Sequence, residues 1–371
     1  MDNFYGSYEG DITTGLGGKE NMITISLCMI VKNESAVLAR CLDTVADLCE
    51  EIVIVDTGST DNTKEIAARY TDKIYDFEWV DDFAAARNFS FSKATCDYIY
   101  VPDADEVLDE TNRHEFMKLK QCMVPEVEIV QMRYHTVSHN TVLNVEDEYR
   151  PKLFKRLREF TWVDPIHETV RLEPLVFDSD VVITHVPQSD HSARDFDVFE
   201  KALARDGRLS RKIALMYATE LYKCGDKTAL ENSLQFFKDL WKVQESSLSK
   251  AAACVLARFA RLCSDSVTLM KLGLRYMADK ASAEICFETG HFFFDQGDYE
   301  EACIWFSNAL GAPVILDIHK SGDETYGMLA QCYEKLAEFF AGTDEGRRYS
   351  EIAAGYRNEE KTWKMPVEEP V

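Results

Sequence analysis

Two carboxylates, Asp103 and Asp105, stand one residue apart in VPDADEVL (101–108), directly after the apolar run Tyr98-Ile99-Tyr100-Val101. Like charges that close raise each other's pKa and cost folding energy unless a cation joins them. In isolation such a pair is most often a solvated acidic turn. At the end of a buried-type strand, a divalent ion bridging a carboxylate and a diphosphate accounts for both charges. Mg2+ and Mn2+ take oxygen ligands, and Mg2+ commonly combines one or two carboxylates with substrate phosphates. A second stretch, VDTGSTDNT (55–63), puts Asp56 at another strand end, where it can accept hydrogen bonds from a base or ribose. The same stretch also reads as a capped loop, with Asn62 and Glu65 as a capping box.

The elements that must position these groups alternate in type. ITISLCMI (23–30), EIVIVD (51–56), DKIYDFEW (72–79) and DYIYV (97–101) read as strands. Helical patterns separate them at 36–48, in KEIAARY, and in DDFAAARNFSFSKA, which begins on an Asp N-cap candidate. This alternation predicts a mostly parallel sheet with helices on both faces. Ligands of such sheets bind at the carboxyl ends of the strands, where residues 28–33, Asp56 and Asp103 to Asp105 all fall. From about Phe196 the strand signals stop and helix follows helix. EICFETGHFFFDQGDYEEACIWFSNALGAP (284–313) sets Gly290, Phe293, Gly297, Tyr299, Ala302, Phe306 and Ala309 at tetratricopeptide spacing. Weaker copies at 214–241 and from 325 predict about three repeats with an irregular stretch between them. The helix pairs need small residues where they cross, hence Gly290, Ala302 and Ala309.

Length and composition bound the rest. The 371 residues suffice for two or three domains. A net charge of -24 argues against a general nucleic-acid binder. The 11 cysteines are scattered without a CxxC pair and read as reduced core residues of a cytoplasmic protein. No apolar run approaches membrane-spanning length. Residues 1–22 carry no secretory signal and read as a disordered tail, followed by an α/β domain over 23–190 and an all-α domain over 191–371. There is no G-x-x-x-x-G-K-[ST] loop, and MIVKNE stands where GxGxxG would follow the first strand, so a dinucleotide oxidoreductase is not expected.

MIVKNE (29–34), VDTGSTDNT (55–63), AAARN (84–88) and DADE (103–106) stand in the order and spacing of the family 2 glycosyltransferases. The resemblance covers about residues 23–186 and implies a GT-A nucleotide-diphospho-sugar transferase fold. The helical tail resembles a bacterial subgroup that joins this domain to tetratricopeptide repeats, some of whose members glycosylate bacteriocin precursor peptides. The resemblance implies that Lys32, Asn33, Glu34 and Asp56 hold the nucleoside, that Arg87 binds near the phosphates, that Asp103 contacts the nucleotide-sugar and that Asp105 binds the metal. EYRPKLFKRLREFTWVDPIHETV (148–170) resembles the later part of the domain. An inverting transfer needs a base to take the acceptor's proton. Glu168 is the first candidate, His167 stands beside it, and Asp164 is the reserve. His185, ending DVVITHVPQ, matches a position that often contacts metal or diphosphate, although Val186-Pro187-Gln188 departs from the usual Gly-Tyr continuation. Arg150, Lys152, Lys155 and Arg156 add positive charge suited to a leaving diphosphate; for two of the four, a solvated strand position is the simpler account.

The expectation is therefore an inverting glycosyltransferase that needs Mn2+ or Mg2+ and draws its sugar from a nucleotide donor, with UDP favoured. The acceptor is a peptide Cys, Ser or Thr, and the repeats support a possible homodimer. The competing expectations are a cell-envelope saccharide acceptor and a repeat scaffold whose catalytic domain has decayed.

Overall fold

A computed structural model describes residues 22–136, 147–157, 162–163, 169–170, 174–186, 192–243, 247–277 and 281–365. β1 (Ile25–Val31) and β2 (Glu51–Asp56) pair in parallel, with β3 (Ile74–Asp76) beyond β2 and β4 (Tyr98–Tyr100) on the other side of β1. The turn strand β5 (Glu106–Val107), β6 (Ile129–Thr136), β7 (Asp147–Lys155) and β10 (Val176–His185) extend this group to an eight-stranded sheet ordered β3-β2-β1-β4-β7-β6-β10-β5. β7 runs antiparallel to both neighbours, β10 is parallel to β6, and β5 is antiparallel to β10. The expected parallel half is present, and the sheet as a whole is mixed. β8 (Trp162–Val163) and β9 (Thr169–Val170) make a separate antiparallel pair.

Strand alternation divides the apolar side chains between two layers. Ile25, Leu27, Met29 and Val31 pack with α1 (Leu38–Val45), α2 (Thr63–Ala67) and α4 (Glu110–Cys122). Cys28, Val53, Val55 and Ile99 face the other way and meet Phe89 and Phe91 of α3 (Phe83–Phe91). α3 starts as expected: the Asp82 side chain accepts from Ala85 N at 3.1 Å. α2 does not. Asn62 makes no side-chain cap, and Asp61 Oδ1 instead accepts from Thr63 N at 3.0 Å, so the capping box is absent.

Past β10 the described residues are helical. After α5 (Ser192–Asp206) come α6 (Arg211–Cys224), α7 (Lys227–Lys242), α8 (Ser247–Leu262), α9 (Ser266–Met277), α10 (Ala283–Asp295), α11 (Tyr299–Leu310), α12 (Asp323–Phe339) and α13 (Asp344–Thr362); α6, α7 and α9 all pack on α8, and α10 with α11 and α12 with α13 form hairpins. The stretch expected to be irregular is the α8–α9 pair. Its first helix buries every position from Ala251 to Ala257, which blurs the one-sided periodicity that marks a repeat helix. Gly290 lies where a Cβ would come within 2.9 Å of the Phe306 ring, and Ala302 and Ala309 are fully buried, as helix crossing requires. All 11 cysteines are free, and no helix among the described residues is long and apolar enough to cross a membrane.

Candidate active site

The site lies along the carboxyl ends of β1, β2 and β4. β1 leads into Lys32-Asn33-Glu34, and Asn33 takes a left-handed backbone (φ 56°), which Asn tolerates better than most residues. The turn is tied to the loop after β2. Asn33 N donates to Ser59 Oγ at 2.9 Å, Asn33 Oδ1 accepts from Thr60 N at 2.7 Å, and Glu34 N donates to Thr63 Oγ1 at 2.8 Å. Asp61 braces the same loop, accepting from Ser35 N at 3.2 Å.

Asp56 ends β2 and is 1% exposed. Its Oδ1 accepts from Gly58 N and Ser59 N, both at 2.9 Å, and Lys64 Nζ stands 3.7 Å away. Its Oδ2 is buried without a hydrogen-bond partner. A buried carboxylate oxygen left bare costs energy unless a donor arrives. Arg87, on α3, is in the same condition: its Nη1 is buried and unpartnered, and its charge acts on Asp103.

Beyond β4 the chain turns through the two carboxylates and re-enters the sheet as β5. Glu106 N donates to Asp103 O at 3.1 Å, and Val186 N donates to Asp105 O at 3.1 Å, so both ends of the turn are pinned. Asp103 keeps its side chain 51% exposed and receives Lys152 Nζ at 3.3 Å. Asp105 Oδ2 lies 2.9 Å from His185 Nε2. The β5–β10 pairing, with His185 opposite Glu106, brings these two together. Glu106 is 1% exposed, with Lys152 Nζ 2.5 Å from its Oε1. Burial, only partly offset by Lys152, pushes the Glu106 carboxyl up to about 8. At Asp103 desolvation also works upward, yet Lys152, Glu106 and Arg87 together hold it at about 2.

The four cations of the 148–156 stretch separate by register. β7 runs against β4, so Lys155 opposes Tyr98 and Arg156 lies beyond it, at the amino end of β4. Lys155 Nζ donates to Pro125 O and Arg156 Nε to Cys96 O, both away from the site. Arg150 and Lys152 fall at the site end. Arg150 stacks on Tyr134, 3.7 Å from the ring centroid, and pairs with Glu148. Glu106 and Tyr134 were not expected at the site. Nothing in a single acidic residue or a tyrosine within a strand pattern announces such a contact.

Asp164, His167 and Glu168 lie outside the described residues, between β8 and β9. Among the described residues no group of three His, Cys, Asp or Glu side chains forms a metal cluster. Asp103, Asp105 and His185 are therefore not a ready three-ligand cage. Asp105 and His185 are nevertheless adjacent donors of the types Mn2+ accepts, and the half-exposed Asp103 lies two positions before Asp105. Two protein ligands completed by phosphate oxygens suit such an ion, so the residues present fit it.

These residues gather at the carboxyl ends of strands in a mixed sheet that is followed by packed helices. Residues 26–168 match the family model "Glycosyl transferase family 2", and this part of the chain is a family 2 glycosyltransferase domain. A TPR repeat-containing protein of Synechococcus elongatus is 48% identical over 87 residues, 24% of this chain and 22% of that protein. The SPbeta prophage-derived glycosyltransferase SunS of Bacillus subtilis is 35% identical over 107 residues, 28% of this chain and 25% of SunS. The lipopolysaccharide core biosynthesis glycosyltransferase LpsC of Rhizobium meliloti is 32% identical over 95 residues, 24% of this chain and 35% of LpsC. The alignments thus span about a third or less of these relatives.

Proposed function

We propose that the protein transfers a sugar from a nucleotide donor, UDP-linked in the favoured case, to a peptide side chain, with inversion and with Mn2+ or Mg2+. The observation that carries this reading is the pair of bare polar groups at the sheet's ligand end: Asp56 Oδ2 at the end of β2 and Arg87 Nη1, whose charge acts on Asp103, are both buried without partners. Those are the groups a nucleoside and a diphosphate would satisfy. Asp56, with the Lys32-Asn33-Glu34 turn, takes the nucleoside; Arg87 faces the phosphates; Arg150 stands at the rim. Asp105 and His185 would hold the ion, with Asp103 beside them, and the ion would neutralise charge on the leaving diphosphate. Glu168, with His167 and then Asp164 behind it, is assigned the acceptor's proton.

The hairpins support a peptide acceptor, since stacked helical repeats make extended concave surfaces, and they also offer a face for a homodimer. The second reading, a cell-envelope saccharide acceptor, is favoured by the similarity to LpsC.

The test is nucleotide release from UDP-, GDP- and CMP-sugars with Mn2+, Mg2+ or EDTA, with donor binding read in the same samples. Metal-dependent release of one nucleotide is expected. Asp105→Ala should cut that release at least a hundredfold while leaving the circular dichroism spectrum and melting temperature near wild type. Absence of binding of every donor sinks the reading.

A further inference from the structure

The buried lysine beneath the Asp103–Asp105 turn is a resident counter-ion. Its side chain is 6% exposed, so it does not reach out to solvent as a phosphate-binding lysine would. Its backbone is fixed by Val101 N donating to Lys152 O at 2.9 Å, two residues before Asp103. Its ammonium lies 2.5 Å from Glu106 Oε1, 3.3 Å from Asp103 Oδ2 and 5.5 Å from the Tyr134 ring centroid. Glu106 is itself fixed, by its backbone bond to Asp103 and its place opposite His185. A lysine this buried persists only when paired, and both of its carboxylates belong to the same short turn.

We infer that Lys152, anchored by Glu106, is a positioning residue that makes entry of the divalent ion conditional on the donor's diphosphate. A fixed positive charge at Asp103 repels a divalent cation approaching the turn, and low dielectric strengthens that repulsion. A diphosphate brings two or more negative charges and offsets it. Metal and diphosphate are then coupled, each raising the affinity for the other, and Lys152 sets the size of the coupling. The inference rests on the reading of Asp105 and His185 as metal ligands.

The experiment is Mn2+ binding to the full chain, followed by electron paramagnetic resonance with and without UDP. The variants are Lys152→Met, Lys152→Arg and Lys152→Met combined with Glu106→Gln. The double variant replaces the whole pair, so a folding defect from leaving Glu106 unpaired does not decide the outcome. Without UDP, both Lys152→Met variants should bind Mn2+ about tenfold tighter than wild type, and UDP should enhance their binding correspondingly less. Lys152→Arg, which keeps the charge, should behave as wild type. If wild type binds Mn2+ with UDP but the Met variants bind it no more tightly alone, the inference is overturned and the metal reading stands. If no form binds Mn2+ even with UDP, the metal reading fails and the inference fails with it.

Discussion

Asp56 is the residue on which the proposed donor site turns. One of its oxygens organises the loop through Gly58 and Ser59, and the other is buried and bare. Asp56→Ala therefore removes two things at once, the loop anchor and the proposed nucleoside acceptor. UDP affinity measured by calorimetry should fall about tenfold or more, given that a lost charged hydrogen bond is worth about 1.5–3 kcal/mol. Equal UDP affinity in the variant would move the nucleoside elsewhere. At this scale the sequence was informative in an uneven way. Asp103, Asp105 and His185 were legible because they close apolar strands, and the structure brings Asp105 and His185 to 2.9 Å. The partnership of Lys152 with Glu106 was not legible, because it depends on β7 crossing beside β4 and on a two-residue strand turning Glu106 inward.

Two elements are held by single residues that can be tested directly. Glu51 starts β2 and is 6% exposed. It accepts from Ser26 Oγ, from Thr95 N at 2.7 Å and from Lys73 Nζ at 2.6 Å, binding the segment before β4 onto β1 and β2. Burial would raise its pKa, but Lys73, Ser26 and Thr95 outweigh burial and depress it to about 2 from 4.5. A depressed carboxylate stabilises the fold above its unfolded pKa, and that contribution disappears as pH falls through the folded value. Glu51→Gln should thus destabilise the protein by ~3 kcal/mol near pH 7, with the difference from wild type shrinking between about pH 4.5 and pH 2 in denaturant titrations. A pH-independent difference would show that the charge is not the cause. In the helical region, Gly290→Ala drives a methyl group into the Phe306 ring. Overpacking of this kind costs ~1–3 kcal/mol, which chemical denaturation would reveal as a lower midpoint. An unchanged midpoint would mean that Phe306 moves aside freely.

On the scale of the whole molecule, the apolar core is divided. The sheet layers draw on residues 25–183, and the helical clusters draw on residues 196–336. No described cluster contains residues from both sets. We propose that the chain divides between Val186 and Ser192 into two cooperative units, joined in part by the exposed ion pair of Lys201 with Asp81 at 2.9 Å. Exposed pairs contribute little, so this contact should not fuse the transitions. Calorimetry should therefore resolve two unfolding events, and UDP with Mn2+ should raise only the one that belongs to the sheet, because ligands stabilise the unit they bind. A single transition raised as a whole would show one cooperative molecule.

The sequence by itself determined the α/β front, the helical back, and the residues that end β1, β2 and β4. Those features follow from local periodicity and from what an apolar strand needs at its ends. It also placed Gly290, Ala302 and Ala309 at helix crossings, because only small side chains fit there. Tertiary structure alone decided the mixed order of the sheet, the packing of α8 against α9, and which cations reach the site. Arg150 and Lys155 lie five positions apart in one strand with the same charge. Antiparallel pairing with β4 puts one at the site and the other near its far end, and no local property of the residues distinguishes them. The burial of Lys152 has the same origin: a lysine in a strand pattern looks solvated until a turn from another part of the chain closes over it.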